Sequence, residues 1–364
     1  MHPMPSRSRL LRFPEGTLLN NTYMLVSPGH QRGTASRTAG GANGPSVEAE
    51  SAEDPPSSGP QRRYPPNRYV EPLGQGGSSV VFLARQVVFA SDTGPRSVAR
   101  AVKFYLLSPT LARRTDPRSM QAANTRSMQN EIEHLTSVQH ANILKVIDAG
   151  VCTRGSAAVN YLVTEYVPGP TLADVLDCGT AALATSLRKR RGEAAYRQLR
   201  RSPTQILQIL EQLAGAIEHL HGQNIYHCDI APKNIFIHPP EKYIAGYRPV
   251  LGDFALGWRP GRQPEPRDGF SRIALGGAMR YAPPSHHQLR RTGDGTGGLR
   301  EFSACAAYWD IYGFAKSALE LVNLVPVDSA SPWKHALMRY LREALVEENG
   351  VTAERLHRRL AKLL

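Results

Sequence analysis

The chain has 364 residues, of which 41% are hydrophobic, and its 44 Lys and Arg against 31 Asp and Glu give a formal net charge of +13. This length can hold two lobes around a cleft plus a tail, with enough apolar residues for a core. The sequence contains no run of about 18 apolar residues, so we expect no membrane span. The four cysteines show no paired metal-ligand spacing, which favours a reducing, cytoplasmic location.

Residues 1–65 differ in composition from the rest of the chain. They are dominated by Pro, Gly, Ser, Ala and Arg, a composition that cannot bury enough apolar surface to offset the entropy of ordering. We therefore expect a largely disordered, basic tail, although an organelle transit peptide would also fit the stretch up to Ser46. Residues 13–26 are the exception, because they predict a short strand that packs on the first lobe.

Residues 73–82 place a glycine-rich segment between two apolar or β-branched runs, which predicts two strands joined by a loop. Glycines let backbone N–H groups approach phosphates without a Cβ in the way, although a glycine-rich hairpin is more often only a turn. The candidate nucleotide-binding residues of this segment are Leu73, Gly74, Gln75, Gly76, Gly77, Ser78, Ser79, Val80 and Val81.

A buried cation is expected next along the chain. Residues 98–105 alternate as a strand with one buried face does, and Lys103 lies on this mostly apolar strand. Because burying an ammonium without a partner is costly, Lys103 needs an anion. Residues 128–135 have the periodicity of a helix and carry Glu131 and Glu133, and the apolar positions of this helix favour Glu131.

Three oxygen-bearing side chains follow in a short stretch of the second half. Asp229, Asn234 five residues later, and Asp253 after an intervening hairpin can point three oxygen ligands at one spot. Such a spot suits a nucleotide bound through magnesium, with one carboxylate left to orient a hydroxyl nucleophile.

These segments resemble the protein kinase family. Residues 227–234 resemble its catalytic loop, His-Arg-Asp-x-x-x-x-Asn, with Cys228 in place of the Arg. Residues 253–255 resemble its Asp-Phe-Gly motif, with Ala255 in place of the Gly, and residues 73–81 resemble its Gly-rich loop.

Three more segments occur in the family's order. Residues 140–144 resemble its His-Pro-Asn-Ile turn, residues 161–169 the hinge between lobes, and residues 308–314 the start of its long central helix. The resemblance implies an α+β, bilobal fold, with a small β-rich N-lobe at about 66–167 and a larger, mainly helical C-lobe at about 168–364.

The resemblance also implies ATP and Mg²⁺ as cofactors and gives a role to each catalytic candidate. Asp229 would accept the proton of the hydroxyl nucleophile, while Asn234 and Asp253 would hold magnesium. Lys233, four residues after Asp229, would reach the transferring phosphate.

The implied nucleotide site involves both lobes. Lys103, fixed by Glu131, would grip the phosphates under the Gly-rich loop. The backbone near Glu165 and Val167 would hydrogen-bond adenine, with Thr164 at the back of the pocket.

Several departures from the family pattern form a linked set. Cys228 cannot receive a phosphate from the activation segment as the family's Arg does, so we expect activity that is independent of such phosphorylation. Ala231 and Gly277 stand where a Lys and a Thr brace the acceptor hydroxyl in serine/threonine kinases. Pro284 and Gly350 replace both halves of a Glu–Arg ion pair, which avoids leaving one buried charge without a partner.

We therefore expect an ATP-dependent protein kinase that phosphorylates a protein hydroxyl, most simply that of Ser or Thr. A catalytically weak pseudokinase scaffold and a small-molecule phosphotransferase are the alternatives. Much of the positive charge lies in insertions, above all a basic insertion at residues 184–203, but no interleaved aromatics accompany it. Nucleic-acid binding is thus not expected, and the partners are ATP and a protein substrate.

Overall fold

The structure is a computed structural model of the chain, and it is described for the following residues: 13–28, 69–75, 79–90, 94–105, 117–154, 157–177, 199, 202–240, 246–260, 277–292, 298–325, 332–346 and 351–364. These residues form the α+β fold with two lobes that the sequence predicts. Of the basic insertion predicted at residues 184–203, residues 184–198, 200 and 201 lie outside the described residues.

The N-lobe is built on a curved antiparallel sheet of seven described strands. The strands are β1 (Leu18–Leu19), β2 (Tyr23–Val26), β3 (Gly74–Gln75), β4 (Ser79–Ala90), β5 (Gly94–Tyr105), β6 (Val146–Arg154) and β7 (Ala157–Glu165). Their order across the sheet is β1-β2-β4-β5-β7-β6, with β3 paired to the other end of β4. Long β4 and β5 form the centre because their aromatic and β-branched residues bury one face, including Phe82 and Phe104.

Two separate stretches of chain cover one edge of β4. The N-terminal strand β2 pairs with residues 83–86, and β3 pairs with Val80 and Val81. The predicted strand within residues 13–26 is thereby confirmed, and it lies inside the sheet of the N-lobe.

The N-terminal segment is also held by its side chains. The ring of Phe13 stacks on Phe104 with a centroid distance of 4.9 Å and meets Phe82 edge-on at 5.4 Å. The buried carboxylate of Glu15 accepts hydrogen bonds from the backbone N–H of Ser27 at 2.7 Å and from its hydroxyl at 2.6 Å. Residues 13–28 are thus an integral part of the lobe, because they complete its core as well as its sheet.

Helix α1 lies against the N-lobe sheet, and the C-lobe holds the remaining helices and a β-hairpin. The helices are α1 (Pro117–Thr136), α2 (Leu172–Asp177), α3 (Pro203–Gly222), α4 (Pro284–Thr292), α5 (Gly298–Asn323), α6 (Pro332–Val346) and α7 (Ala353–Ala361), and the hairpin consists of β8 (Ile235–His238) and β9 (Arg248–Leu251). Helix α3 begins with Pro203, whose fixed φ suits a first helical turn, and it buries a continuous apolar face.

Helix α5 supports the centre of the C-lobe. It begins at Gly298, earlier than the predicted start at Tyr308, because residues 299–307 contain no glycine or proline to stop it. A Cβ at Gly313 would lie 2.3 Å from the carbonyl oxygen of Ile230, so only glycine lets this helix approach the loop at residues 226–231 so closely. The loop therefore rests directly on a buried helix.

No helix within the described part of the chain is long and apolar enough to cross a membrane. Of the four cysteines, Cys152, Cys228 and Cys305 lie among the described residues, and none of these three is in a disulfide bond.

Candidate active site

A buried cation lies between two carboxylates at the junction of the lobes. The ammonium of Lys103, on β5, lies 2.7 Å from Oε2 of Glu131, on α1, and 2.7 Å from Oδ1 of Asp253. The side chain of Glu131 is 2% exposed, whereas that of Asp253 is 42% exposed. Glu131, rather than Glu133, therefore holds Lys103 from the protein side, while Asp253 meets it from the open side.

In this cluster, the charges of the partner groups outweigh the effect of burial on the pKa values of Lys103 and Asp253. Burial by itself would lower the pKa of Lys103, but the charges of Asp253 and Glu131 outweigh it and raise the pKa well above its usual range. Burial would raise the pKa of Asp253, but the adjacent Lys103 lowers it. Both groups are charged at neutral pH, as a site for an anionic ligand requires.

Asp253 stands at the start of a short 3₁₀ turn, Phe254–Leu256. Its backbone is left-handed, with φ of +64°, an uncommon conformation for a residue other than glycine that occurs where surrounding contacts enforce it. Phe254 is fully buried and contacts the ring of His227, so the turn is anchored in the core and directs the Asp253 carboxylate toward Lys103.

A second carboxylate, Asp229, is held at both of its oxygens. Oδ2 accepts from Nδ2 of Asn234 at 2.9 Å and lies 3.0 Å from Nζ of Lys233. Oδ1 accepts from the backbone N–H of Ala278 at 2.7 Å. Asn234 also donates to the carbonyl oxygen of Asp229 at 2.8 Å, so its amide oxygen remains as the atom that can bind a cation.

Asp310 of helix α5 holds the loop that carries Asp229 through hydrogen bonds to its backbone. The fully buried Asp310 accepts from the backbone N–H groups of His227 and Cys228, each at 2.8 Å, and its Oδ2 lies 3.0 Å from Nε2 of His221. The backbone N–H of Asp229 donates to Nδ1 of His227 at 3.2 Å, so Nε2 of that ring carries the proton and donates to Gly252 at 3.0 Å. Helix α5 thus fixes the position of Asp229.

The Gly-rich segment and the hinge flank this site. Gly74 and Gln75 form β3, and Leu73 donates to the carbonyl oxygen of Val81 at 2.7 Å, so the two predicted strands are present. The loop residues Gly76, Gly77 and Ser78 lie outside the described residues. Strand β7 ends at Glu165, followed by a buried Val167, before Pro168 prevents further sheet pairing.

Comparison with known proteins agrees with this arrangement. The sequence model of the protein kinase domain matches residues 68–269, more than half of the 364 residues. The chain belongs to the protein kinase family. The first of several similar proteins is the serine/threonine-protein kinase pkn2 of Myxococcus xanthus, which is 29% identical over 189 residues, 52% of this chain and 18% of pkn2.

Two further relatives come from other organisms. The serine/threonine-protein kinase PrkC of Bacillus subtilis is 30% identical over 112 residues, 31% of this chain and 14% of its own. The interferon-induced, double-stranded RNA-activated protein kinase of Mus musculus is 24% identical over 236 residues, 62% of this chain and 36% of its own. The matched region thus spans at most 36% of the length of these relatives.

The donor set of the kinase fits magnesium bound together with phosphates. The described residues contain no cluster of three or more His, Cys, Asp or Glu side chains that could hold a metal ion by itself. The amide oxygen of Asn234 and the carboxylate of Asp253 are hard oxygen ligands, and Mg²⁺ usually completes such a set with water and substrate phosphates. Lys103 adds the positive charge that a nucleotide's phosphates need.

The residue at the family's Arg position lies in an aromatic environment. Cys228 has φ of +60° and is 7% exposed, in a buried cluster with Trp258, Ala306 and Trp309. Burial, with the charges of Asp310 and Asp229, raises the pKa of the Cys228 thiol well above its usual range. A protonated, buried thiol is a poor nucleophile, which agrees with a small buried residue rather than a redox-sensitive one.

Two residues that contact this site, Tyr105 and Ala278, are not among those that the sequence predicts. The hydroxyl of Tyr105 donates to Oε2 of Glu131 at 2.5 Å, and burial together with Glu131 raises the pKa of Tyr105 well above its usual range. The strand alternation could have shown that Tyr105 shares the face of Lys103, two residues earlier. Ala278 acts through its backbone N–H, and no side-chain signal marks such a donor.

A backbone group takes the place of the Lys and Thr side chains that Ala231 and Gly277 replace. Ala231 is fully buried, and neither Gly277 nor the adjacent Ala278 carries a hydroxyl. The backbone N–H of Ala278 lies where it can hold Asp229 instead. Pro284 begins helix α4, as suits a residue without an N–H, and Gly350 lies outside the described residues.

Proposed function

We propose that this chain transfers the γ-phosphoryl group of Mg-ATP to a hydroxyl group of a protein substrate. The observation that carries the proposal is the position of Lys103, whose ammonium is held 2.7 Å from both Glu131 and Asp253 in the cleft between the lobes. A buried lysine with one carboxylate behind it and one in front is suited to bind phosphates beside a cation.

The chain's own groups supply positioning and charge. Lys103 binds the phosphates, and Glu131 keeps its ammonium in place from behind. Asn234 and Asp253 hold magnesium, which neutralises phosphate charge when bound. Because catalysis of this kind consists of positioning and electrostatic stabilisation, loss of one of these groups costs orders of magnitude in rate.

Asp229 orients the acceptor hydroxyl and takes its proton. Its carboxylate is held in place by Asn234, Lys233 and the backbone N–H of Ala278. Lys233 is half exposed, with 52% of its side chain accessible, so it can turn from Asp229 to the transferring phosphate.

The acceptor is proposed to be Ser or Thr of a protein. The similar proteins from Myxococcus xanthus and Bacillus subtilis are named serine/threonine-protein kinases, which supports this choice.

The test is phosphate transfer from radiolabelled ATP by the full chain with magnesium, to itself and to proteins of a lysate. Wild type should transfer phosphate, while Lys103→Met and Asp229→Asn should each lose at least about 100-fold in rate. Lys362→Met, which removes an exposed lysine of the C-terminal turn, is the matched control and should keep wild-type activity.

Other outcomes would favour the rival functions. Binding of Mg-ATP without any transfer by wild type would indicate a pseudokinase scaffold. Transfer to a small molecule but not to protein would indicate a small-molecule phosphotransferase. Wild-type rates in both site variants would refute an enzymatic role for the cleft.

The domain organisation and location remain proposals as well. We place the kinase domain at residues 66–364, with the N-terminal segment 13–28 completing its sheet. The proposed setting is reducing and cytoplasmic, since the four cysteines show no paired metal-ligand spacing. Protein substrate rather than nucleic acid is the proposed partner.

A further inference from the structure

One edge of β4 is covered by two pieces of chain that lie far apart in the sequence. Strand β3 pairs with Val80 and Val81, and the N-terminal strand β2 continues the pairing along residues 83–86. Residues 69–72, which come shortly before β3, lie beside the N-terminal segment instead. There the backbone N–H of Val70 donates to the carbonyl oxygen of Phe13 at 2.8 Å.

The registers show that both pieces of chain fit the same positions along β4. Continued one residue at a time, the pairing of Gly74 with Val81 would put residues 69–72 opposite residues 83–86, where residues 23–26 lie. The two stretches read Tyr-Val-Glu-Pro and Tyr-Met-Leu-Val in the same direction. They are alike at their first two positions and differ in kind at the last two.

These last two positions explain why the N-terminal strand is used. Leu25 is fully buried in the N-lobe core, so Glu71 in its place would bury a carboxylate. The N–H and carbonyl of Leu25 bond on the side away from β4, so those of Val26 face β4. Pro72 has no N–H to donate at that position. In the structure, Glu71 and Pro72 are instead exposed.

Strand β2 also contacts the residues that lead into the glycine-rich loop. Val26 shares a buried cluster with Leu73, and Val81 packs against this cluster. The hydroxyl of Ser27, the next residue, accepts from the backbone N–H of Glu71 at 3.4 Å. Since Leu73 and Val81 are candidate nucleotide-binding residues, the N-terminal segment adjoins the proposed nucleotide site.

We propose that β2 positions Leu73 and β3 for nucleotide binding, as a substitute for a strand that residues 69–72 do not form. The proposal rests on nucleotide binding as part of the proposed function. Val26 and Ser27 act as positioning residues, because they hold the chain on either side of Pro72. Docking of the N-terminal segment and binding of Mg-ATP therefore favour the same arrangement, and each strengthens the other.

Exchanging the residue types at the two differing positions tests the proposal in the full chain. Leu25→Glu would bury a carboxylate and so release β2, and the affinity for Mg-ATP should fall at least about 10-fold in an equilibrium titration. Adding Glu71→Leu and Pro72→Val to this variant lets residues 69–72 pair with β4 themselves. Affinity should then return to within about 3-fold of wild type. Leu18→Glu places the same charge at an exposed position of the segment and should bind Mg-ATP as wild type does.

A milder pair of variants tests the proposal even if Leu25→Glu fails to fold. Val26→Ala trims the packing with Leu73 and leaves the backbone pairing of β2 intact. The KM and the dissociation constant for Mg-ATP should rise about 3-fold while kcat stays within about 2-fold, because only nucleotide binding is affected. Val159→Ala removes the same atoms from beside the separate cluster that contains Phe82, and it should leave KM unchanged.

Three results would overturn the inference. The first is an affinity for Mg-ATP within about 2-fold of wild type in a folded Leu25→Glu variant. The second is no recovery of affinity when Glu71→Leu and Pro72→Val are added, because a missing strand would then not explain the loss. The third is an equal rise of KM in Val26→Ala and Val159→Ala, which would indicate a general loss of packing.

The same measurements separate this inference from the proposed function. A wild-type chain that does not bind Mg-ATP would refute the proposed nucleotide site and the inference together. A wild-type chain that binds Mg-ATP but transfers no phosphate would refute the proposed transfer alone, since the titrations of the variants still decide the role of β2.

Discussion

Tyr105 and Glu131 are joined by a buried hydrogen bond of 2.5 Å, in which the tyrosine hydroxyl donates to the same carboxylate oxygen that pairs with Lys103. Glu131 is thus oriented by two donors from strand β5. The ion pair and the tyrosine form one network, in which the tyrosine helps to fix the carboxylate that holds Lys103.

Removing this hydroxyl should weaken the N-lobe. We expect Tyr105→Phe to lower the free energy of unfolding by about 1.5–3 kcal/mol, the usual loss for a hydrogen bond to a charged group. The KM for ATP should rise as well, because Glu131 is then held less firmly. Urea denaturation and steady-state kinetics measure both effects. Tyr340→Phe, a hydroxyl deletion in helix α6, is the control, and an equal loss there would contradict the role of Tyr105.

The backbone donor of Ala278 can be removed by proline. Ala278 has φ of −83°, which proline can adopt, so Ala278→Pro deletes the N–H that holds Asp229. We expect kcat to fall roughly 10-fold or more, since a charge-assisted hydrogen bond contributes about 1.5–3 kcal/mol. Ala278→Ser retains the N–H and should stay near wild type. A normal kcat in Ala278→Pro would show that this bond does not position Asp229.

The N-terminal segment should contribute strongly to stability. Phe13 is 6% exposed and packs between Phe82 and Phe104, so Phe13→Ala should cost about 3–5 kcal/mol of unfolding free energy. Leu18 in the same segment is 57% exposed, and Leu18→Ala should change stability by less than about 0.5 kcal/mol. Equal thermal midpoints for the two variants would mean that residues 13–28 dock only loosely.

Activity should not depend on phosphorylation of the activation segment, because Cys228 stands where the family has a phosphate-binding Arg. Cys228 lies in a cluster of buried apolar and aromatic side chains that includes Trp258 and Trp309, and its thiol cannot pair with a phosphate as an arginine does. Phosphatase treatment should therefore leave the transfer rate unchanged, as measured before and after dephosphorylation. Cys228→Arg should destabilise the protein, because the guanidinium would be buried among these rings. Strict loss of activity on dephosphorylation would refute this expectation.

A histidine at the base of the C-lobe should make stability depend on pH. His357 of helix α7 lies 2.9 Å from Glu211 and 2.5 Å from Glu218 on α3. Burial would lower the pKa of His357, but these two carboxylates outweigh it and raise the pKa above 6.5. Burial lowers the pKa of the nearby His140, and the charges of His219 and His357 lower it further. A charge on His140 would therefore work against the charge on His357.

The sign follows from the raised pKa. The protonated form is favoured by folding, so the contribution is fully present below about pH 6.5 and is lost as the pH rises through the folded pKa. We expect His357→Gln to be less stable than wild type by up to about 1 kcal/mol at pH 5.5, because the group is partly exposed, and the difference should shrink by pH 8.5. Urea titrations at both values measure it, and a difference independent of pH would contradict the assignment.

Much of the fold and of the candidate site could be predicted because the signals are local. The alternation around Lys103, the helical period around Glu131 and the spacing of Asp229 and Asn234 each lie within a few residues. Family membership and the two-lobed fold are confirmed, and the structure brings Lys103, Glu131 and Asp253 together.

The remaining features depend on contacts between distant parts of the chain. Residues 13–28 join the sheet because one edge of β4 is free to pair with them. The catalytic loop is held by Asp310, which lies 82 residues beyond Cys228 in the chain. A backbone donor such as Ala278 has no side-chain signal at all.

The sequence by itself determined which charged and oxygen-bearing side chains make up the candidate site, because side-chain chemistry and short-range periodicity can be read from neighbouring residues. The tertiary structure alone decided that the carboxylate of Asp229 is held by the backbone N–H of Ala278. That depends on how closely the segment at Gly277 approaches a loop 48 residues earlier in the chain, and such an approach is set by packing rather than by any local pattern.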